Sequence, residues 1–409
     1  MVNAKVMKIL DSKKIMVLVS LLGLYLLSAG SSWALFSFLR GEPSINSESG
    51  KQTGSRIDPG LPKTEECPIN GRMFSKPERE IWEDRRPATI MVENHADARP
   101  PSGLSSADVV YEAVAEGGIT RFLAVFYCGA SAMDVRVAPI RSVRVYYIDW
   151  ASEYGKKPIF VHIGGANNIC NNCPGGVKPS GQVAREVDAF RVLQTLGWRL
   201  PKGNDFDGGT NVGYPIIVRD QYRLGDKAAW EHSVVGYTDK IFEEAKVRGF
   251  GYKNENGKPW LDDFQSWRFI DDKPTNSDTI NEISFGFWSD KNDYDVTWKY
   301  DKEKNDYKRV NGGKDYVDYE TKEQLSVKNV VIQFVKEKGP VDKEGHMVYT
   351  TIGEGKALIF QNGGVTEATW KKSSQTARTK FFEKAGKEIG FVRGPIWIEE
   401  VPAGNDIKY

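Results

Sequence analysis

The sequence predicts an α/β protein in which a mixed-sheet amino-terminal domain, residues 67–250, is followed by a smaller β-rich carboxy-terminal domain, residues 275–405. Two observations lead to this prediction. In the first half, apolar runs typical of strands alternate with helix-like segments, which is the pattern of an α/β domain. From about Ile283 onward, short apolar runs are separated by Gly, Asp and Asn turns, so the pattern becomes nearly all strand.

The amino-terminal forty residues predict a membrane anchor. Residues 1–14 form a basic cytoplasmic stub, and residues 15–39 form an uncharged apolar run. A spanning helix needs roughly 20 apolar residues, and preceding lysines favour the cytoplasmic side, so the remaining chain is expected outside. A signal peptide cleaved near residues 31–34 is the alternative, and it also exports the chain. Residues 40–66 are rich in Ser, Glu, Gly, Pro and Lys and predict a flexible tether.

Individual elements follow from local patterns. In the first domain, β-branched and aromatic runs predict strands at 88–92, 120–127 and 158–163, with a further apolar element at 108–114. Helices are predicted at 143–153 and at 237–248, where Gly249 ends the second one. In the second domain, strands are predicted at 283–288, 294–300, 306–310, 329–335 and 357–360.

Charge and motif content exclude several classes of protein. The 409-residue chain has a formal net charge of only +1, so it lacks the basic footprint of a nucleic-acid-binding protein. It contains no Gly-x-Ser-x-Gly, His-Glu-x-x-His or Gly-x-x-x-x-Gly-Lys-Ser/Thr motif, which disfavours the common hydrolase and nucleotide-binding classes. No cofactor and no nucleic-acid partner are predicted.

Four cysteines are present, and two of them are close in sequence. Cys170 and Cys173 lie in a loop rich in Gly, Asn and Pro, and they could form a local disulfide, half of a metal site or two free thiols. We favour the disulfide because export permits oxidation and no second Cys-x-x-Cys completes a zinc site. Cys67 and Cys128 are single and distant in sequence.

Arginines beside glycine-containing turns predict an anion-binding site in the first domain. Arginine suits phosphate and carboxylate because its guanidinium donates two parallel hydrogen bonds. The candidate ligand-binding residues are Asn94, Arg99, Arg121, Arg141 and Arg144. Alternatively, these arginines pair with Asp108, Glu112, Glu116 and Asp149 and only hold the loops together.

Two histidines and one glutamate are the catalytic candidates. His95 and His162 could act as an acid/base pair or as metal ligands, with Glu112 as a further candidate, although a lone histidine at a strand end is more often structural. Strand ends of an α/β sheet form crevices, so we expect one cleft with Arg121 and Arg141 as main contacts. His95 and His162 are expected at its rim.

Five motifs lie in the first half of the chain: Asn-His-x-x-x-Arg-Pro-x-Ser-Gly-Leu, Asp-x-Val-Tyr-Glu, Glu-Gly-Gly-Ile-Thr-Arg-Phe, Pro-x-Arg-Ser-x-Arg and His-x-Gly-Gly. These motifs resemble those of the YerB-like lipoprotein family, a domain-of-unknown-function family of exported bacterial proteins. The resemblance covers roughly residues 85–402 and includes Ala229-Trp-Glu-His232, which looks like an altered Ala-Pro-His-Asn step. Family members usually carry a lipobox cysteine, whereas none lies between Ile15 and Arg40.

The resemblance implies no activity to carry over, so function rests on the residues. The leading hypothesis is a membrane-anchored, extracytoplasmic cell-envelope protein that binds an anionic envelope polymer or an envelope protein. The alternative is a hydrolase or transferase acting on an anionic cell-wall glycan or phosphodiester. A third, weaker hypothesis is a metal-dependent version that uses His95, His162 and Glu112.

Overall fold

The computed structural model describes residues 55–409 except 171, 174, 175, 180, 255 and 276–278, together with residues 16, 20–25 and 28. The chain divides into two compact units, residues 1–51 and 52–409. In the first unit, residues 20–25 are helical. Within the described part of the chain, no helix is both long enough and apolar enough to cross a membrane. Most of the predicted anchor, residues 15–39, lies outside the described residues, as do the stub and residues 40–54.

The second unit is mainly β-structure with four α-helices among its described residues. The helices are α1 (Lys76–Glu83), α2 (Val145–Ala151), α3 (Ala189–Thr195) and α4 (Thr238–Val247). The strands of the first half are β1 (Glu65–Glu66), β2 (Met73–Phe74), β3 (Ala88–Glu93), β4 (Val109–Glu116), β5 (Ile119–Phe126), β6 (Arg136–Val137), β7 (Ile159–His162), β8 (Asp205–Asp207), β9 (Ile217–Arg219) and β10 (Val234–Tyr237). Those of the second half are β11 (Phe269–Ile270), β12 (Glu282–Phe285), β13 (Val296–Asp301), β14 (Asp306–Asn311), β15 (Lys314–Asp315), β16 (Ser326–Val327), β17 (Asn329–Val335), β18 (Glu337–Lys338), β19 (Val348–Tyr349), β20 (Gly353–Gln361), β21 (Gly364–Lys372), β22 (Lys380–Glu383), β23 (Phe391–Val392) and β24 (Ile396–Pro402).

A ten-stranded mixed sheet runs through both halves of this unit in the order β22-β21-β20-β17-β24-β4-β5-β3-β7-β8. The halves join where β24 pairs in parallel with β4, with Glu399 opposite Glu112. The remaining larger sheets are β12-β13-β14-β15, with β16 paired to β14, and β6-β10-β9. The predicted α/β class is therefore confirmed, and its mixed sheet continues into the β-rich half.

Both faces of the central sheet are covered, which explains why β3 and β5 read as nearly continuous apolar runs. On one face, the Tyr147 hydroxyl of α2 donates to the Arg121 carbonyl on β5 at 2.7 Å. On the other face, Trp298 of β13 packs edge-to-face on Trp397 of β24 at 5.4 Å. The second sheet is thus a layer against the first rather than a distant module.

A fully buried ion-pair network crosses this layer boundary. Arg309 of β14 contacts Glu112 of β4 at 2.5 Å and Glu399 of β24 at 2.8 Å. The indole of Trp298 donates to the Glu399 carboxylate at 2.9 Å. Burial, followed by the charge of Glu112, raises the pKa of Glu399. One arginine therefore fixes the second sheet against the two strands that join the halves.

The predicted tether ends earlier than expected. Residues 55–66 are tied to the folded unit, because Arg56 pairs with Asp239 at 2.7 Å and Lys63 with Glu78 at 2.7 Å. Charged residues of this segment form ion pairs with the folded unit, and composition alone does not reveal such partners.

Just beyond this segment, Cys67 is disulfide-bonded to Cys128, so two cysteines that look single in the sequence form a pair.

The loop predicted to hold a local disulfide does contain one in the structure, between Cys170 and Cys173. No described residue bears a free cysteine thiol.

Candidate functional site

A short 3₁₀ turn, Trp230–His232, organises the candidate site, and we call it the tryptophan–histidine turn. It closes because the His232 amide donates to the Ala229 carbonyl at 3.0 Å and the Ser233 hydroxyl donates to the Trp230 carbonyl at 2.7 Å. The turn leads into β10, whose pairing with β6 and β9 fixes its position. His232 therefore contacts Glu93 at the carboxyl end of β3, and the Trp230 ring contacts Arg219 of β9.

The carboxylate of Glu93, the last residue of β3, is buried and shared between a histidine and an arginine. One oxygen contacts Nδ1 of His232 at 2.9 Å, and the other contacts Nε of Arg141 at 3.1 Å. The hydrogen bond to Glu93 is the main cause that raises the pKa of His232. His95 stacks on His232, with ring centroids 4.9 Å apart and planes tilted by 23°. A carboxylate, two imidazoles and a guanidinium are thus in contact.

Two arginines bind consecutive carbonyls of the same turn. Arg219 donates to the Trp230 carbonyl at 2.6 Å, and Arg141 donates to the Glu231 carbonyl at 3.1 Å. Arg219 also lies over the Trp230 ring, 4.2 Å from its centroid. Burial and the nearby charge of Arg141 lower the pKa of Arg219. We call this surface, formed by Arg141, Arg219 and Trp230, the arginine–tryptophan face.

The face is accessible to solvent. Trp230 is 60% exposed, and the Arg141 side chain is 26% exposed. Arg141 uses Nε and Nη1 for its internal contacts, and among the described residues Nη2 has no hydrogen-bond partner. An indole stacks on sugar rings and two guanidinium groups attract anions, so this surface suits an anionic ligand that carries apolar ring faces.

Arg121 and Arg144 are not part of this face. Both are buried and both pair with Glu116, Arg121 at 2.8 Å and Arg144 at 2.7 Å. Burial alone would raise the pKa of Glu116, but the two arginines outweigh it and lower the pKa to about 2. The predicted use of Arg121 as a main ligand contact is contradicted by this pairing, which corresponds to the alternative in which arginines hold the loops together.

Asn94 and Arg99 join the two halves. Asn94 is fully buried and accepts hydrogen bonds from Arg99 at 3.0 Å and from the Tyr316 hydroxyl at 2.6 Å. Arg99 also donates to the Asp293 carbonyl at 2.8 Å and lies 4.9 Å from the Tyr294 ring centroid. These contacts hold the loop after β3 against the second half of the chain.

His162 and Glu112 are core residues, so their expected positions in a cleft are wrong. The His162 ring is fully buried between Asp205 of β8, at 2.5 Å, and the Gly164 carbonyl, at 2.8 Å. Glu112 is fully buried and is occupied by Arg309 and by the Thr120 hydroxyl at 2.6 Å. Neither side chain reaches a shared pocket with His95, which also removes the metal site proposed from these three residues.

Four participants were missing from the sequence prediction of the site: Glu93, Arg219, Trp230 and His232. Glu93 immediately precedes the motif that begins with Asn94 and His95, and Trp230 and His232 both belong to the Ala229-Trp-Glu-His232 step. Arg219 carried no local signal, because its proximity depends on the turn that precedes β10.

The fold and this site define a two-part, disulfide-containing protein with a shared central sheet, and the chain belongs to the DUF3048 family. Residues 75–189 match the model described as "Protein of unknown function (DUF3048) N-terminal domain", and residues 283–398 match that of its C-terminal domain. A relative from Bacillus subtilis (strain 168), "Putative lipoprotein YerB", is 32% identical over 346 residues, which are 84% of this chain and 88% of the relative. The crystal structure of YerB protein from Bacillus subtilis matches with a TM-score of 0.62 and 26% identity, over 85% of this chain and 100% of that chain. The predicted YerB-like membership is confirmed.

Proposed function

We propose that the chain acts outside the cytoplasm, held at the membrane by a single pass through residues 15–39. Three observations support this location: the relative is named as a lipoprotein, lysines precede an apolar run, and all four cysteines are paired. Disulfides persist in oxidising compartments and are rare in the cytosol. When cells are lysed under denaturing conditions with a maleimide present, no cysteine of the chain should therefore be modified before reduction. Four modified cysteines would refute the extracytoplasmic location.

We infer that the arginine–tryptophan face binds an anionic, sugar-containing polymer of the cell envelope. The observation that carries this inference is the convergence of Arg141 and Arg219 on consecutive carbonyls beside the exposed Trp230 ring. The guanidinium groups supply paired donors for phosphodiester or carboxylate oxygens, and the indole supplies an apolar surface for a sugar. Because the chain is nearly neutral overall, this local pair of cations rather than net charge would attract the ligand.

Binding to a purified phosphodiester-containing wall polymer tests the inference, with neutral dextran as the polymer control. Trp230→Ala and Arg219→Gln should each weaken binding at least tenfold and leave the thermal unfolding midpoint nearly unchanged, because both side chains are exposed. Arg79→Gln is the matched control, since Arg79 is an exposed, ion-paired arginine on α1. Binding that is equal for the wild type, Trp230→Ala and Arg219→Gln would refute the proposed face.

A catalytic alternative is favoured by one specific contact. The Glu93 carboxylate holds Nδ1 of His232, which is the arrangement that orients an imidazole for general acid or base catalysis. The alternative activity is hydrolysis or transfer on the same polymer. Fragment release by the wild type that is lost in His232→Gln would support this activity. Binding without fragment release would support the binding function only.

A further inference from the structure

We propose that His95, Asp97 and His232 form a binding site for a divalent transition-metal ion of the zinc type. One ligand atom from each of these residues lies within 4.8 Å of the other two. Two imidazoles and one carboxylate are a ligand set that zinc accepts, with a fourth position left for water or a substrate group. The proposal goes beyond the inferred polymer binding and does not depend on it.

The local chain geometry presents Asp97 to His95. The turn Ala96–Ala98 begins at His95, and Nδ1 of His95 accepts a hydrogen bond from the Asp97 amide at 3.2 Å. The same Nδ1 lies 3.7 Å from the Asp97 carboxylate, near the roughly 3.4 Å that separates two ligands of a tetrahedral zinc ion. A ring nitrogen has one lone pair, so Nδ1 must release the Asp97 amide when it binds an ion, and the exposed Asp97 carboxylate can then reach the same ion.

Glu93 prepares His232 as a ligand. Its hydrogen bond to Nδ1 leaves Nε2 as the nitrogen for a metal, and a carboxylate behind a histidine ligand fixes the ring and increases its basicity. The stacking of His95 on His232 brings both rings to one side of the loop after β3. Glu93 is thus a positioning residue, because it acts through His232 and would not touch the ion.

The charges next to the site favour a cation. A cavity of about 550 Å³ opens beside His95, and its charged lining residues are Asp97, Asp290, Asp293 and Lys291. Three carboxylates and one ammonium give this side a net negative charge. On the opposite side, Arg141 is already paired with Glu93, so its charge is partly neutralised before an ion arrives. The ion would therefore lie between an acidic cavity and the arginine–tryptophan face.

Titration of the tag-free full chain in detergent with zinc sulfate, followed by calorimetry, tests the proposal. We expect one ion per chain, and we expect His95→Ala and His232→Ala to weaken binding at least a hundredfold. Glu93→Gln should weaken it about 10-fold to 100-fold while one ion still binds. His346→Ala is the matched control, since His346 is a histidine paired with a different carboxylate, Asp342.

Cobalt provides a second readout. Binding of Co²⁺ should give absorption bands of a tetrahedral site with the wild type and lose them in His95→Ala, a variant that should fold normally because His95 is 32% exposed. Absence of zinc binding by the wild type, or zinc binding unchanged in His95→Ala and His232→Ala, would overturn the proposal. Either outcome is independent of polymer binding, which is measured without added metal.

Discussion

Replacing Arg309 with methionine should destabilise the protein more than any exposed arginine replacement. Arg309 is fully buried and contacts two carboxylates, Glu112 and Glu399, so its loss leaves two buried acids without a counter-charge. Methionine retains much of the side-chain volume, which limits the contribution of an empty cavity. The change in stability therefore measures mainly the loss of the positive charge of Arg309.

The magnitude follows from these contacts. Removing one partner of a buried ion pair costs about 3 to 5 kcal/mol, because an uncompensated charge remains. Glu112 keeps two neutral donors, Thr120 and Asn94, and Glu399 keeps one, Trp298, which limits the loss. At pH 7 we expect the free energy of unfolding to fall by about 4 kcal/mol.

The loss should shrink as the pH falls. Burial raises the pKa of Glu399 to about 8, above its ordinary 4.5. A carboxyl with a raised folded-state pKa contributes stability that is fully present below about pH 4.5 and is lost as the pH rises through the folded-state pKa. Without Arg309 the folded-state pKa of Glu399 should rise further, because its counter-charge is lost, so the difference from the wild type should be larger at pH 9 than at pH 7.

Urea unfolding followed by circular dichroism at pH 7 and pH 9 measures both effects. Arg79→Met is the control, since an exposed ion pair contributes at most about 1 kcal/mol. A loss below about 1 kcal/mol for Arg309→Met at pH 7, or a loss that does not change with pH, would refute the assignment of this network as the main electrostatic link between the sheets.

Two further predictions concern ion pairs and disulfides in the first half. Glu116→Gln should cost about 3 kcal/mol at pH 7, because it leaves Arg121 and Arg144 without their carboxylate. Since the pKa of Glu116 is lowered to about 2, its contribution is present above about pH 4.5 and is lost as the pH falls, so unfolding at pH 7 and pH 3 should give different losses. Replacing both Cys67 and Cys128 with serine should cost about 4 kcal/mol, because 61 residues separate them, whereas the Cys170 and Cys173 pair, separated by 3, should cost about 2 kcal/mol. Equal losses for the two double variants in the same denaturant titration would contradict the loop-closure argument.

Local patterns predicted the strands well and their partners poorly. The runs at 88–92, 120–127 and 329–335 became β3, β5 and β17, because strands buried on both faces are continuously apolar. The same runs do not show which strand lies beside which. The parallel pairing of β4 with β24 unites residues near the two ends of the folded unit, and hydrophobic periodicity contains no information about such pairing.

The site was predicted only in part, because its residues meet through tertiary contacts that the local sequence does not show. Arg141 and His95 were candidates from the sequence, and the structure brings them to a common neighbourhood through Glu93 and His232. His162 also follows an apolar run, so its local sequence resembles that of a rim histidine. The difference is Asp205. It lies on β8, which pairs in parallel with β7, and its carboxylate contacts the buried His162 ring. Only this tertiary contact distinguishes His162 from His95.

The contrast between two networks of the same residue types indicates which one can bind a ligand. In the Arg309 network every charged group is fully buried, so a ligand could enter only by separating the two sheets. In the Glu93 network the carboxylate and His232 are buried, but their neighbours Arg141 and His95 extend to a solvent-accessible surface. A buried charge that holds exposed groups in fixed directions reduces the entropy that those groups lose when a ligand binds. The proposed ligand recognition is therefore assigned to the surface beside the tryptophan–histidine turn, whereas the Arg309 network connects the two halves.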